Sequence, residues 1–465
     1  DPSLMHTPIG TLLSDGTGEY ASRWRYVEVF LRMGGGDLSS SHYAGVYVLM
    51  ESIRVGSHRV DIAKLQPSDV NEPAVSGGYI FRHDKEDGDL VSFEAGGQGG
   101  DGRLQIYRPK NPTQAQVDWL AGYINGAVSA MGNGSYEAWI DVDNWVNVNL
   151  VQMYTHNIDW PVFSAFYYKD RLGKLRAGPV WDFDRSMGSM DDRDDNPETW
   201  VPGGAAFYIF WWSRLFSDID FWQRYVDRWC ELRGGPWSDA EVNGMIDNLA
   251  ARLAEAGPRN EARWAGTFTY RYGGWSGEVD NLRWWLLARS AWIDDQFPGA
   301  PVLSRPAGAV DAGTQVSLSK PAGNGGTIYV TTDGSDPRAD GGGVGATAFA
   351  YSGPITIHGN MVIRARTWDG QSWRGAPGHA PWSAPAEAAY CTVRVPGALE
   401  TMVEGGSAAA YGVEELFVAT GRPFSFSAAC SDPQAVGVSL YGSTLTVSPL
   451  LRGEALVTVT ADDGQ

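Results

Sequence analysis

The sequence predicts an α+β domain followed by two all-β sandwich modules. Three observations carry that expectation. Strand-like alternation dominates up to about residue 110, and strongly periodic helical segments dominate from there to Phe297. After Phe297 the stretch PGAPVLSRPAGAVDAGTQVSLS turns abruptly to Pro, Gly, Ala, Ser, Thr and Val with short alternating runs, the signature of β modules joined by Pro-rich linkers. The boundaries read as 1–298, 299–393 and 394–465, in keeping with the two to four domains expected of 465 residues. The opening DPSLMHTP reads as the middle of a fold and the closing VTVTADDGQ as a cut end. The first domain is therefore expected to be N-terminally incomplete and the last truncated.

Within the first domain, YVEVFLRM (26–33) and YAGVYVLMESI (43–53) alternate and are rich in aromatic and β-branched residues, so they read as paired strands around the loop GGGDLSSSH. SGGYIFRHDK (76–85) and RLQIYRPK (103–110) read as a third and a fourth strand. PTQAQVDWLAGYINGAVSAM opens on Pro-Thr and has near-helical apolar spacing, predicting an amphipathic helix. DVDNWVNVNLVQMYTHN starts with Asp caps and continues as a buried helix. FSAFYYKD and KLRAGPVWDFD form a hairpin, and FWQRYVDRWCELRG, DAEVNGMIDNLAARLAEAG and GEVDNLRWWLLARSAWIDDQF are periodic helices. A sheet followed by helices is an α+β order compatible with two lobes.

Composition narrows the function. With 36 Lys+Arg against 55 Asp+Glu the net charge is -19, which repels nucleic acid and anionic membrane at long range. No apolar stretch is long enough to span a bilayer, and no charged-then-apolar leader opens the chain. Cys230, Cys391 and Cys430 lack CxxC spacing, so neither a zinc cage nor a disulfide framework follows; Cys391 and Cys430 either pair across C-terminal strands or stay as free thiols.

The chemistry concentrates in residues 151–188. Asp159 follows His156-Asn157-Ile158 and precedes Trp160-Pro161, which forces an extended turn and exposes the carboxylate, as a turn cap or as a base. Trp181-Asp182-Phe183-Asp184 places two carboxylates at i and i+2. On a strand they share one face and can converge on a hard cation such as Mg²⁺ or Mn²⁺. Arg82, His83 and Lys85 close the third strand and Arg23 and Arg25 precede the first; one of these is expected to meet phosphate charge, with Glu51 orienting such a cation or standing as a rim carboxylate. GQGGDG (97–102) matches G-x-G-x-x-G only formally, since it precedes a strand, and reads as a hairpin loop. The run Asp191-Asp192-Arg193-Asp194-Asp195 is a second cation loop or a solvated face. No G-x-S-x-G or H-E-x-x-H occurs.

DPSLM, RYVEVFLR, YAGVYVLMESIR, RVDIAKL, SGGYIFRHDK, HNIDWP, GPVWDFDRSMGS, RNEARW and LRWWLLARSAWIDDQF together resemble the CotH family, the spore-coat-H-type atypical protein kinases, over about Asp1 to Phe297. The resemblance implies a divergent, two-lobed kinase-like fold, ATP with Mg²⁺ or Mn²⁺, and phosphoryl transfer to Ser or Thr of a surface or coat protein outside the cytosol. By motif it puts Asp159 at the catalytic base, Asp182 at the metal-binding Asp and Asp184 as its support. Two positions depart. Ser164 stands where active members carry a metal-holding Asn five residues after the base, and Arg82 ends the strand that usually supplies a nucleotide-binding Lys.

TIYVTTDGSDPR and YSGPITIHGNMVIRARTWDG resemble the chitobiase/hexosaminidase C-terminal-type β-sandwich, with Asp333, Gly334, Asp336 and Pro337 as turn formers. SLYGSTLTVSPLLRGEALVTVTADDG is similar to bacterial Ig-like or cadherin-like repeats. These companions imply an extracellular or cell-surface location. The expected function is a secreted or surface-associated kinase. A competing expectation, motivated by Ser164 and Arg82, is a catalytically weakened scaffold whose β modules bind glycans or neighbouring surface proteins. A third is a carbohydrate-active enzyme, suggested only by the chitobiase-type module.

Overall fold

The structure, a computed structural model, describes residues 1–97, 103–189, 192–200, 205–321, 325–370, 381–392, 402, 404–413 and 425–462. They form two compact units, one built on Asp1–Phe297 and one on Pro298–Gly370 with Trp382 onward. The expected break near 393–394 lies outside the described residues.

The first unit is α+β. It opens with a helix, α1 (His6–Gly16), followed by an antiparallel ribbon of β1 (Trp24–Phe30) and β2 (Tyr43–Met50). Then come β3 (Tyr79–Asp84), β4 (Val91–Phe93), β5 (Arg103–Arg108), α2 (Gln114–Asn133), α3 (Val142–Tyr154), β6 (Ala165–Lys169) and β7 (Leu175–Ala177). The helices α4 (Ala205–Tyr208), α5 (Trp212–Leu215), α6 (Ile219–Arg233), α7 (Asp239–Leu253), α8 (Ala256–Arg263) and α9 (Trp275–Asp294) complete it. The β6–β7 hairpin does not stand apart. It joins the earlier strands in one antiparallel sheet of order β4-β5-β3-β6-β7.

Alternation along β3 divides the sheet's two faces. Tyr79 and Phe81 enter the main core with Leu104, Ile106, Tyr167 and the helices, whereas Ile80 lies with Phe166, Tyr168 and Trp181 under the 53–62 segment. Helix α3 runs through the middle of the main core. Of its residues only Asp143 is exposed, and it buries Asn144, Asn147, Asn149 and Gln152 beside its apolar residues; its Asp141 cap accepts from Asn144 N at 3.2 Å, and Trp145 packs on Trp211, Trp212 and Tyr167. Helix α2 carries a reciprocal capping box between Thr113 and Gln116 and ends at Gly134, whose φ of 79° is the left-handed conformation that closes helices. GQGGDG lies between the paired strands β4 and β5; its residues 98–102 are outside the described set, and no helix follows it.

In the second unit, Phe349–Ala350, Thr327–Thr331, Met361–Trp368, Ala386–Thr392 and Gly308–Val310 form a five-stranded sheet in that order over a core of Val316, Val330, Ile357, Ile363 and Tyr390. Asp333 closes its turn on Ser335, and Asp336 grips Arg366 with both oxygens at 2.6–2.7 Å, so these carboxylates are structural. Further on, Ala409–Gly412, Thr444–Pro449 and Val436–Tyr441 make a three-stranded sheet, and Ser425–Cys430 pairs with Val457–Asp462. Cys391 and Cys430 are free thiols, as is Cys230.

Helix α1 lies under the Asp182–Asp184 segment. A Cβ at Gly10 would overlap the ring of Phe183, which is fully buried. Gly10→Ala should therefore destabilise the unit by about 1–3 kcal/mol through overpacking. Gly122→Ala, on exposed α2 with open space around it, should stabilise by roughly 0.5–1 kcal/mol. Urea unfolding of the two variants checks both signs.

Candidate active site

Asp159 sits just beyond α3. His156, at φ 52°, takes the chain out of the helix, and Asp159 O then accepts Val162 N at 3.1 Å and Phe163 N at 2.8 Å, so the turn is tight and encloses Pro161 where an extended one was expected, and Asp159 is partly exposed. The other station is built differently from the expectation. β7 stops at Ala177, and Asp182 and Asp184 lie in an irregular segment rather than on a strand. Pro179 lacks a ladder donor, and Asp182 adopts φ 63°, incompatible with a pleat. Phe183 points into the core, and Asp182 and Asp184 face solvent on either side of it.

Three hydrogen bonds lace the two stations together. Met187 N donates to Thr155 O at 2.9 Å, Ile158 N to Arg185 O at 3.2 Å, and Asn157 Nδ2 to Asp182 O at 3.0 Å. Asn157, itself buried, also accepts from Asp159 N at 3.2 Å, so one amide registers both acids. Ser164, at φ 54°, opens β6 and donates to Asp182 Oδ2 at 3.1 Å. Arg185 Nη1 meets Asp159 Oδ1 at 3.1 Å. Asp159, Ser164, Asp182, Asp184 and Arg185 thus surround one solvent-facing spot.

The basic candidates divide. Lys85 is exposed, with Nζ 5.2 Å from the centre of the Phe163 ring, beside the 159–164 turn, and His83 Nδ1 contacts Val162 O at 2.6 Å, so the end of β3 flanks the site. Arg82 instead meets Asp84, Asp87 and Gln105, each at 3.3 Å, and much of its charge is already matched. Glu51 does not orient Arg82 or Lys85. It is held by Arg23 at 2.5 and 2.8 Å and by Arg59 at 3.4 Å, while Arg25 is exposed. The acidic run is largely a solvated face in its described part, with Asp192, Arg193 and Asp195 exposed and one member turned inward. Asp194 is fully buried on Ser189 N and Oγ, and Asp192 and Asp195 clamp Arg271. Its first member, Asp191, lies outside the described residues.

Asp182 is shifted upward from the usual carboxylate range, first by partial burial of its carboxyl and then by the charge of Asp184. Two like charges held side by side are a donor set a hard divalent ion can satisfy. Mg²⁺ characteristically takes one or two protein carboxylates and fills its remaining positions with water and phosphate oxygens. Among the described residues no group of three or more His, Cys, Asp or Glu side chains gathers closely enough to enclose an ion; Asp182 and Asp184, with Ser164 alongside, offer two carboxylates and a hydroxyl.

Fold and site together define an α+β domain presenting a paired-carboxylate centre beside a candidate base. Residues 1–293 match the family described as CotH kinase protein, and residues 305–376 match the chitobiase/beta-hexosaminidase C-terminal domain. The chain belongs to the CotH kinase protein family. A comparison with curated proteins found no match. Among the described residues no helix is long and apolar enough to cross a membrane.

Because Asp182 is raised in the folded state, its contribution without a cation favours the fold below the ordinary carboxylate pKa and is lost as pH rises through its raised value. Asp182→Asn should accordingly raise the metal-free Tm at pH 7 slightly, by about 1–2 °C, with the gain vanishing in acid. Mg²⁺ should raise Tm for the parent and not for the variant. Differential scanning fluorimetry across pH reads all three, and a lower Tm for the variant at neutral pH would count against the repelled-pair account.

Proposed function

We propose that the chain is a secreted or surface-associated atypical protein kinase that moves the γ-phosphoryl group of ATP onto a Ser or Thr hydroxyl of an extracellular or coat protein. The observation that carries this reading is the lacing of Asp159 to Asp182 and Asp184 by Asn157 and the paired backbone, which sets a proton acceptor beside a cation-suited acid pair. Asp159 orients the acceptor hydroxyl and takes its proton. Asp182 and Asp184 would hold Mg²⁺ or Mn²⁺, which would supply neutralisation of phosphate charge there. Ser164 fixes one oxygen of Asp182 and can itself ligate as a neutral hydroxyl. Lys85 borders the spot from β3.

The outer-surface assignment is supported by the chitobiase-type match, since such modules accompany extracellular enzymes, and the β modules are the proposed contacts to glycans or neighbouring proteins. A second reading, a scaffold with weakened catalysis, is favoured by one specific observation. Arg82, standing where a nucleotide-binding Lys is expected, is committed to Asp84 and Asp87. Calorimetric titration with Mg²⁺ and ATP separates the two, because no heat of binding at millimolar nucleotide leaves the scaffold standing.

Removal of the proton acceptor or of a cation ligand attacks the transition state and not the fold. Asp159→Ala and Asp182→Ala should each lower phosphate transfer from radiolabelled ATP by about 10²–10⁴-fold, with circular dichroism unchanged. Full transfer by Asp182→Ala would falsify the assignment.

A further inference from the structure

We propose that Arg185 is the cation that grips the transferring γ-phosphoryl group. This deepens the kinase reading above and rests on it. A kinase centre needs a positive side chain on the phosphoryl oxygens, and the residue nearest the proton acceptor is not on the first sheet. Arg82 is 16% exposed and faces Asp84 and Asp87, and Lys85 lies out over Phe163 at the rim. Arg185 is 39% exposed, reaches Asp159 Oδ1 at 3.1 Å, and follows Asp184 directly in the chain. Its own carbonyl accepts Ile158 N, so the main chain beneath it is fixed by the same lacing that fixes the acids.

The chemistry suits a guanidinium. Its planar fork carries five donors, so one side chain can hold Asp159 and a phosphoryl oxygen at once, and it cannot be deprotonated by the base beside it. As the acceptor oxygen bonds to the γ-phosphorus, the bond from that phosphorus to the β–γ bridging oxygen breaks. The hydroxyl proton passes to Asp159, and ADP leaves with the bond's electron pair. Charge spread over the three equatorial oxygens then lies within reach of whatever is hydrogen-bonded to Asp159. Asp159 and Arg185 thereby present a proton acceptor and a charge clamp as one unit, and the ion pair keeps both in place between turnovers.

The test is calorimetric titration of the full chain with ATP and, separately, ADP in Mg²⁺, for the parent, R185M, R185Q and R185K. A contact confined to the γ-phosphate predicts that the parent prefers ATP over ADP by about tenfold or more. R185M and R185Q should bring the two nucleotides to parity while leaving ADP affinity within about twofold, and R185K should restore part of the preference. If the parent binds both nucleotides and the neutral variants keep its preference, the role of Arg185 is overturned and the kinase reading stands. If the parent binds neither nucleotide, both fall together.

Discussion

The pairing of residues 155–159 with residues 182–187 is the constraint on which the rest of the first unit depends. Two short segments with no regular structure of their own are joined by two main-chain hydrogen bonds and one buried amide, and neither has a strand neighbour to replace them. Everything around them works as support. α3 delivers the first segment from the middle of the core, the β6–β7 hairpin delivers the second, and α1 backs Phe183 through the clearance that Gly10 provides. The buried amide matters beyond its two contacts. A buried carboxamide that lost one partner would leave a desolvated polar atom behind, so Asn157 binds the segments more firmly than two surface hydrogen bonds would.

The electrostatic arrangement follows from the same pairing. It brings three carboxylates to one opening of a chain already at -19, which is unfavourable unless cations are near. One, Arg185, is built in and pairs with Asp159, while Ser164 donates to Asp182.

Much of this fold was legible in the sequence, and the exceptions have physical causes. The ribbon, β3, β5, α2, α3, α6, α7 and α9 show because alternation or helical spacing persists over several turns or pleats. α1 was missed although Met5, Ile9 and Leu13 recur every four residues, because Pro8, Gly10 and Gly16 mask the pattern, and β4 is too short to show any. Membership of β6 and β7 in the first sheet depends on a partner more than eighty residues away and has no local signal. At the site, residue types pointed to Asp159, Asp182 and Asp184, but spacing alone could not say that they meet. The strand geometry assumed for Asp182 fails at its left-handed backbone. Basic residues ending strands are no guide to the site, since Arg82 is matched by its neighbours and the cation beside Asp159 is Arg185, next to Asp184 in the chain. The acidic run is a surface feature at Asp192, Arg193 and Asp195, and composition could not reveal that Asp194 within it is buried on Ser189.

Four non-glycine residues within this small region, His156, Ser164, Asp182 and Met187, hold positive φ values of 52° to 63°. Each such conformation costs of order 1–3 kcal/mol and persists only where its surroundings enforce it. Glycine at any of the four would relieve that strain without moving the chain, so it is the packed, tryptophan-rich interior, and not local preference, that holds these backbones in place.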